Sequence, residues 1–235
     1  MFDIDKIKGG LIVSCQAYEG EPLFGAHYME RMAVAAFQSG AVGIRANGPN
    51  DIAAIRKSVP LPIIGIYKIH DTRTEVYITP TLDSARVIVQ AGADIVAVDA
   101  TNRKLADGRY TYDLISDIKR ELNVPVMADV STLEEGIMAE KAGVDIISTT
   151  MAGYTPYSRP ATSSPDFILV QELANNVKVP VICEGRIWTV VDAIKAFDLG
   201  AFAVVIGSAI TAPQLITERF VQSINSFKLV KEKLE

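Results

Sequence analysis

The sequence predicts one (β/α)8 barrel, the TIM-barrel fold, spanning residues 1–235 as a single domain. Three observations carry this expectation. Short runs rich in Val and Ile alternate with helix-like segments from end to end, which implies a parallel sheet with helices outside it. The phrases SGAVGI, AGADIV, AGVDII and LGAFAV recur, beginning at Ser39, Ala91, Ala142 and Leu199. Each puts Gly at a helix stop and an apolar strand just beyond it. Ionisable side chains close or follow run after run: Arg45, Lys68, Asp99, Asp129, Glu184 and Arg186. Charges gathered at one end of parallel strands converge on one rim, where such a barrel builds its active site.

The elements follow in order. The first run is Gly10–Cys15, and a helix-like segment covers Met29–Gln38. Val42–Ala46 carries Arg45, and Asp51–Lys57 follows with mixed polar and apolar spacing. Pro62–Lys68 is the third run. Thr81–Ala91 starts after Pro80 and stops at Gly92, a usual helix start and stop. Ile95–Ala100 precedes Thr111–Leu122, and Pro125–Val130 precedes Thr132–Ala142. Ile146–Thr150, Asp166–Asn175, Pro180–Glu184, Thr189–Leu199 and Ala203–Gly207 complete the alternation. The segment from Gln214 is long and amphipathic, with Phe220, Val221, Ile224 and Phe227 on one face. A doubly wound sheet is the alternative. It usually places a Gly-rich phosphate loop after its first strand, and here CQAYEGEP lacks that pattern.

Composition narrows the function. With 49% hydrophobic and 22% charged residues, the chain can build a large core. A net charge of −5 argues against a nucleic-acid surface, although a local basic group can still hold an anionic substrate. No apolar stretch approaches the ~20 residues of a membrane helix, and MFDIDKIKGG lacks a signal-peptide pattern. A cytoplasmic protein is expected. Cys15 and Cys183 lie in apolar runs, as buried reduced thiols do. No HxH or HExxH spacing occurs, so no metal and no other cofactor is expected.

The rim offers a phosphate site. In such barrels the loops after strands seven and eight, with a short helix N-terminus, often take phosphate. Here they read Glu184-Gly185-Arg186 and Gly207-Ser208-Ala209. Gly lets the backbone approach an oxyanion closely; the alternative is that these glycines only make tight turns. Lys68 can transfer a proton, form a Schiff base, or merely neutralise Asp99, Asp129 or Glu184. Glu184 and Asp129 are candidates for acid–base work or for holding hydroxyls, the alternative being ion pairing with Lys68 or Arg45, and Asp99 is a candidate partner of Lys68. Arg45 offers a donor fork, and Gln16 both donor and acceptor. The loop MAGYTPYSRP, with Tyr154, Tyr157 and Arg159, is either a cover over a ligand or a rigid turn. His27 and His70 are isolated, and exposed loop positions account for them.

Taken in order, GLIVSCQA, GAVGIRAN, PIIGIYK, VAVDAT, MADVSTLEEG, TTMAGYTPYS, CEGRI and IGSAIT resemble the motifs of the N-acetylmannosamine-6-phosphate 2-epimerase family. The resemblance covers nearly the whole chain. It implies a barrel of the ribulose-phosphate-binding type and a reaction of bacterial sialic acid breakdown. That reaction interconverts N-acetylmannosamine 6-phosphate and N-acetylglucosamine 6-phosphate without metal or nucleotide. It further implies that Lys68 is the acid/base at carbon 2, assisted by Glu184. Gln16, Arg45 and Asp129 would hold the amide and hydroxyl groups, and the loops at Gly185 and Gly207 the phosphate. A homodimer through the C-terminal helix is implied as well. One departure stands out: Ala212 occupies a position where the family usually has arginine, and Arg186 is the candidate substitute. Two rival readings remain, an aldolase- or synthase-type phosphate-binding barrel and a non-catalytic phosphosugar-binding barrel.

Overall fold

The computed structural model describes residues 2–232. Eight parallel strands close into a barrel in sequence order, β1 (Leu11–Cys15), β2 (Gly43–Asn47), β3 (Ile63–Ile66), β4 (Ile95–Asp99), β5 (Val126–Asp129), β6 (Ile146–Ser148), β7 (Val181–Glu184) and β8 (Ala203–Ile206). The helices between them are α1 (Ala26–Gln38), α2 (Gly48–Ser58), α3 (Leu82–Gln90), α4 (Thr111–Leu122), α5 (Leu133–Lys141), α6 (Phe167–Asn176) and α7 (Val190–Asp198). A one-turn helix, α8 (Ser208–Thr211), and a long one, α9 (Pro213–Glu232), follow β8. No helix among the described residues is long and apolar enough to cross a membrane.

Local chemistry sets the helix starts. Thr81 and Thr132 each accept from the backbone N–H three residues on, and Ser84 and Glu135 return the bond, closing two capping boxes. Asp166 and Thr189 cap α6 and α7 in the simpler way. Asn123 ends α4 in the left-handed region at φ 51°, where Asn is better tolerated than other side-chain-bearing residues.

The two-residue period of the strands divides the core. Val13, Ile44, Ile63, Val96, Val126, Ile147 and Val181 face the helices. Ile12, Ile64, Ile95, Met127, Ile146, Ile182 and Val205 face inward and fill the barrel. Ile7, in a short 3-10 turn (Ile4–Ile7), joins this inner cluster, and the Gly9 N–H donates to the Phe202 carbonyl just before β8. The N-terminal segment therefore plugs the floor. The same alternation turns Ser14, Arg45, Asp99, Asp129, Ser148 and Glu184 inward at the opposite end, and register sets Ser14 beside Arg45 and Asp129 between Asp99 and Ser148.

One strand departs from its expected bounds, and one helix lies off the barrel. The third strand stops at Ile66, and the chain then makes a bridge between Lys68 and Ile78. Tyr67 takes part on both sides: its N–H donates to Thr79 Oγ1 and its carbonyl accepts from the Thr79 N–H. The connection thus folds back over the barrel mouth. Also, α9 does not seal its own barrel. Phe220 and Phe227 are 67% and 69% exposed, and the helix rests chiefly on α8.

Gly65 lies on the helix-facing side of β3, where an added Cβ would come within 2.6 Å of Ala93 Cβ. Gly65→Ala is expected to destabilise the barrel by about 1–3 kcal/mol through overpacking, read as a lower midpoint in denaturant unfolding.

Candidate active site

A cavity of about 420 Å³ opens at the C-terminal end of the barrel. Its floor is apolar, from Ile66, Ile78, Met151 and Val205, and its walls carry the polar ends of β1, β2, β3, β7 and β8. Of the residues singled out from the sequence, Gln16, Arg45, Lys68, Tyr154, Glu184, Gly185, Arg186, Gly207 and Ser208 all line it. Asp129 does not appear on its wall.

Arg45 organises this end. It is only 1% exposed, and its two terminal nitrogens meet both oxygens of Asp129 at 3.0 and 2.5 Å. One of them also donates to Glu184 Oε2 at 2.5 Å and to Thr150 Oγ1 at 3.3 Å. Burial alone would favour the neutral guanidine; the two carboxylates outweigh it and push the pKa up. The fork expected to grip a ligand is therefore occupied by protein carboxylates. Nε is buried and has no partner among the described residues. Asp129, 0% exposed and bound to Arg45 and Thr150, lies beneath the wall.

Glu184 keeps one oxygen in hand. Its bonds to Arg45, Thr150 and Ser148 all fall on Oε2. Burial pushes its carboxyl above the usual range, against the pull of Arg45 and Lys68, with Asp129 adding to the push. The group is held nearer to protonation than a surface glutamate, as a proton donor requires.

Lys68 reaches the cavity from the opposite side, since β3 and β7 stand four strands apart in a closed ring of eight. Its N–H donates to Asn47 Oδ1 at 2.9 Å and its Nζ donates to the Tyr18 hydroxyl at 2.7 Å. Among the described residues it forms no ion pair, so the neutralising role is not what the geometry shows. Asp99 is not its partner either: that carboxylate takes Arg103 at 2.6 Å and Thr101 at 2.6 Å. Gln16 donates to Ser14 Oγ at 2.7 Å, and its Oε1 is buried without a partner.

The β7 and β8 loops form the other wall. Gly185 and Arg186 take φ values of 105° and 57°, and the chain turns sharply there. Thr211 Oγ1 donates to the Ser14 carbonyl at 2.9 Å, which ties α8 to β1. The opening N–H groups of a helix lack intrahelical acceptors, so the start of α8 at Ser208 presents donors at the wall. Arg186 is half committed: Nε and Nη1 donate to the carbonyls of Ser164 and Ala152 at 3.0 and 2.8 Å. Its guanidinium lies 5.8 Å from the Tyr154 ring. Ala212 also lines the cavity, beside Trp188, on whose ring Arg219 of α9 stacks at 4.4 Å.

Only Tyr154 of the MAGYTPYSRP loop trio reaches the cavity. Tyr157 donates to Glu135, and Arg159 pairs with Glu172, so both fix the loop. His27 and His70 stay outside it, His70 stacked on Tyr77 at 5.2 Å. The sequence reading missed Tyr18, Tyr77, Thr150, Asn47 and Trp188. Burial pushes the Tyr77 phenol up to about 12, helped by Tyr18 and Asp99, so it stays a neutral donor at the wall.

A family described as "NanE: Putative N-acetylmannosamine-6-phosphate epimerase" matches residues 29–226. The chain belongs to this family. A relative from Caldanaerobacter subterraneus subsp. tengcongensis, named "Putative N-acetylmannosamine-6-phosphate 2-epimerase", is 52% identical over 94% of this chain and 93% of its own. The solved structure of the N-acetylmannosamine-6-phosphate 2-epimerase from Clostridium perfringens superposes with a TM-score of 0.90 at 50% identity, covering 93% of this chain and 94% of that one. Thiamine phosphate pyrophosphorylase from Pyrococcus furiosus shares the fold at a TM-score of 0.57 and 18% identity, covering 88% of each chain.

Removing Asp129 would leave the buried Arg45 charge short of its main partner. Asp129→Ala is expected to cost about 3–5 kcal/mol of stability, measured by urea unfolding.

Proposed function

We propose that this protein interconverts N-acetylmannosamine 6-phosphate and N-acetylglucosamine 6-phosphate by removing and returning the proton at carbon 2. The observation that carries the reading is the placement of Lys68 and Glu184 on opposite walls of one cavity. Inversion at carbon 2 needs a proton taken from one face and delivered to the other. Lys68, as the amine, takes the proton; as the ammonium, it can return one. Glu184, with its free oxygen and burial-raised carboxyl, relays the proton on the facing side.

The carbon-2 proton becomes acidic only when carbon 1 is a carbonyl, so the open-chain sugar is the reacting form. The enolate that follows needs donors already in place. The Tyr77 hydroxyl and the Gln16 amide stand at the wall for this and for the acetamido group. Phosphate fits the Gly185–Arg186 and Gly207–Ser208 loops, where backbone N–H groups and the Arg186 cation converge. Arg186, Tyr154 and the start of α8 thereby stand in for the cation absent at Ala212. Arg45 and Asp129 contribute by fixing Glu184.

A second copy of the chain completes the surface. The α9 face of Phe220, Val221, Ile224 and Phe227 is exposed, and so are Val190, Val191 and Ile194 of α7, at 76%, 73% and 56%. A 20-residue helix of about 30 Å gains little stability alone, so a homodimer that covers α9 accounts for its length and its apolar face. The two free, buried thiols suit a reducing cytoplasm.

Lys68→Ala is expected to abolish turnover and carbon-2 proton exchange while substrate affinity stays within several-fold. Normal exchange in that variant, followed by proton NMR in heavy water, would remove Lys68 from its role. Glu184→Gln is expected to lose epimerisation yet keep exchange on the original sugar; epimerisation at the normal rate would refute the relay. Phe220→Asp with Phe227→Asp is expected to yield monomers by light scattering, and an unchanged dimer would place the contact elsewhere.

A further inference from the structure

Lys68 is held at both ends. Its backbone is fixed by Asn47 and by the bridge to Ile78. Its amine is fixed by Tyr18, which lies three residues beyond the end of β1. The Tyr18 hydroxyl accepts from Nζ at 2.7 Å, and Nζ lies 4.7 Å from the ring centroid, off the hydroxyl edge of the ring. This contact favours one placement of a long side chain that otherwise samples many rotamers.

Tyr18 is itself pinned. Its N–H donates to the Glu21 carboxylate at 2.7 Å, and its carbonyl accepts from the Glu21 N–H at 3.0 Å. A second turn follows, with the Phe24 N–H donating to the Glu21 carbonyl at 3.0 Å. Tyr18 is 53% exposed, so core packing does not explain its orientation. Tyr18, Glu21 and Lys68 all line the cavity.

We propose that Tyr18 is a positioning residue for the reaction, its hydroxyl holding the Lys68 amine at the cavity before substrate enters. The inference rests on the reading of Lys68 as the acid/base. Lys68 needs such a holder because no carboxylate among the described residues pairs with it. The Glu21 turn is the brace that keeps the phenol in place. Tyr18 acts through Lys68, so its loss slows the chemical step more than it weakens binding.

Tyr18→Phe keeps the ring and removes the acceptor; Tyr18→Leu removes both. In Tyr18→Phe, kcat is expected to fall about five- to tenfold, as loss of a partly exposed charge-assisted bond implies, with KM within twofold. Tyr18→Leu should fall further. The full-length protein with 15N-labelled lysine gives a second readout without substrate. The Nζ signal of Lys68, assigned by its disappearance in Lys68→Met, should move in Tyr18→Phe and move again in Tyr18→Leu as the ring current is lost. A kcat within twofold of normal in Tyr18→Phe, or a raised KM with kcat unchanged, would overturn the positioning role. If Lys68→Met itself turned over normally, the positioning role would fall with the assignment of Lys68. An Nζ signal that still moved in Tyr18→Phe would then locate the failure in Lys68 and not in the contact.

Discussion

The buried pairing of Arg45 with Asp129 and Glu184 is the constraint on which the rest of the site depends. A guanidinium taken out of water costs several kcal/mol unless its partners are well placed. Here barrel closure places them, because Arg45 of β2, Asp129 of β5 and Glu184 of β7 all turn inward at the C-terminal end of their strands. Below this layer the barrel interior is Ile, Met, Val and Ala; above it lies the cavity. The ion cluster therefore joins the top of the core to the wall of the cavity, and a change in one member reaches both.

That position sets the protonation of one carboxylate, Glu184. Glu184 gains Arg45 as a partner but shares it with Asp129, and burial outweighs the attraction. Its Oε2 is anchored by Arg45 and Thr150, so the geometry of the remaining oxygen is set by bonds that do not involve a ligand. Lys68 follows a different principle. It stands outside the ion cluster, and its placement comes from Asn47 and Tyr18 rather than from a counter-charge. In the proposed reaction, these different surroundings keep the acid and the base apart, as two groups that exchange a proton with the two faces of one carbon must be.

Much of this was legible in the sequence for simple reasons. Buried parallel strands read as continuous Val/Ile runs, Thr81, Thr132, Asp166 and Thr189 announce helix starts, and a charge at a strand end has only the rim to go to. The sequence left open whether Asp129 and Glu184 pair with Arg45 or with Lys68. Arg45, Asp129 and Glu184 are 84 and 139 residues apart along the chain in the two pairs that matter, and only barrel closure brings them together. Tyr18 and Tyr77 were missed because loop aromatics carry no periodic signal. The Lys68–Ile78 bridge that brings Tyr77 over the mouth is a single irregular pairing. The free face of α9 was read correctly as apolar, but periodicity alone does not say whether such a face covers its own barrel or another.

Proton NMR of N-acetylmannosamine 6-phosphate with the purified protein in heavy water tests the central claim most directly. The account predicts N-acetylglucosamine 6-phosphate carrying deuterium at carbon 2. Conversion with the original proton retained at carbon 2, or binding with neither conversion nor exchange, would contradict it.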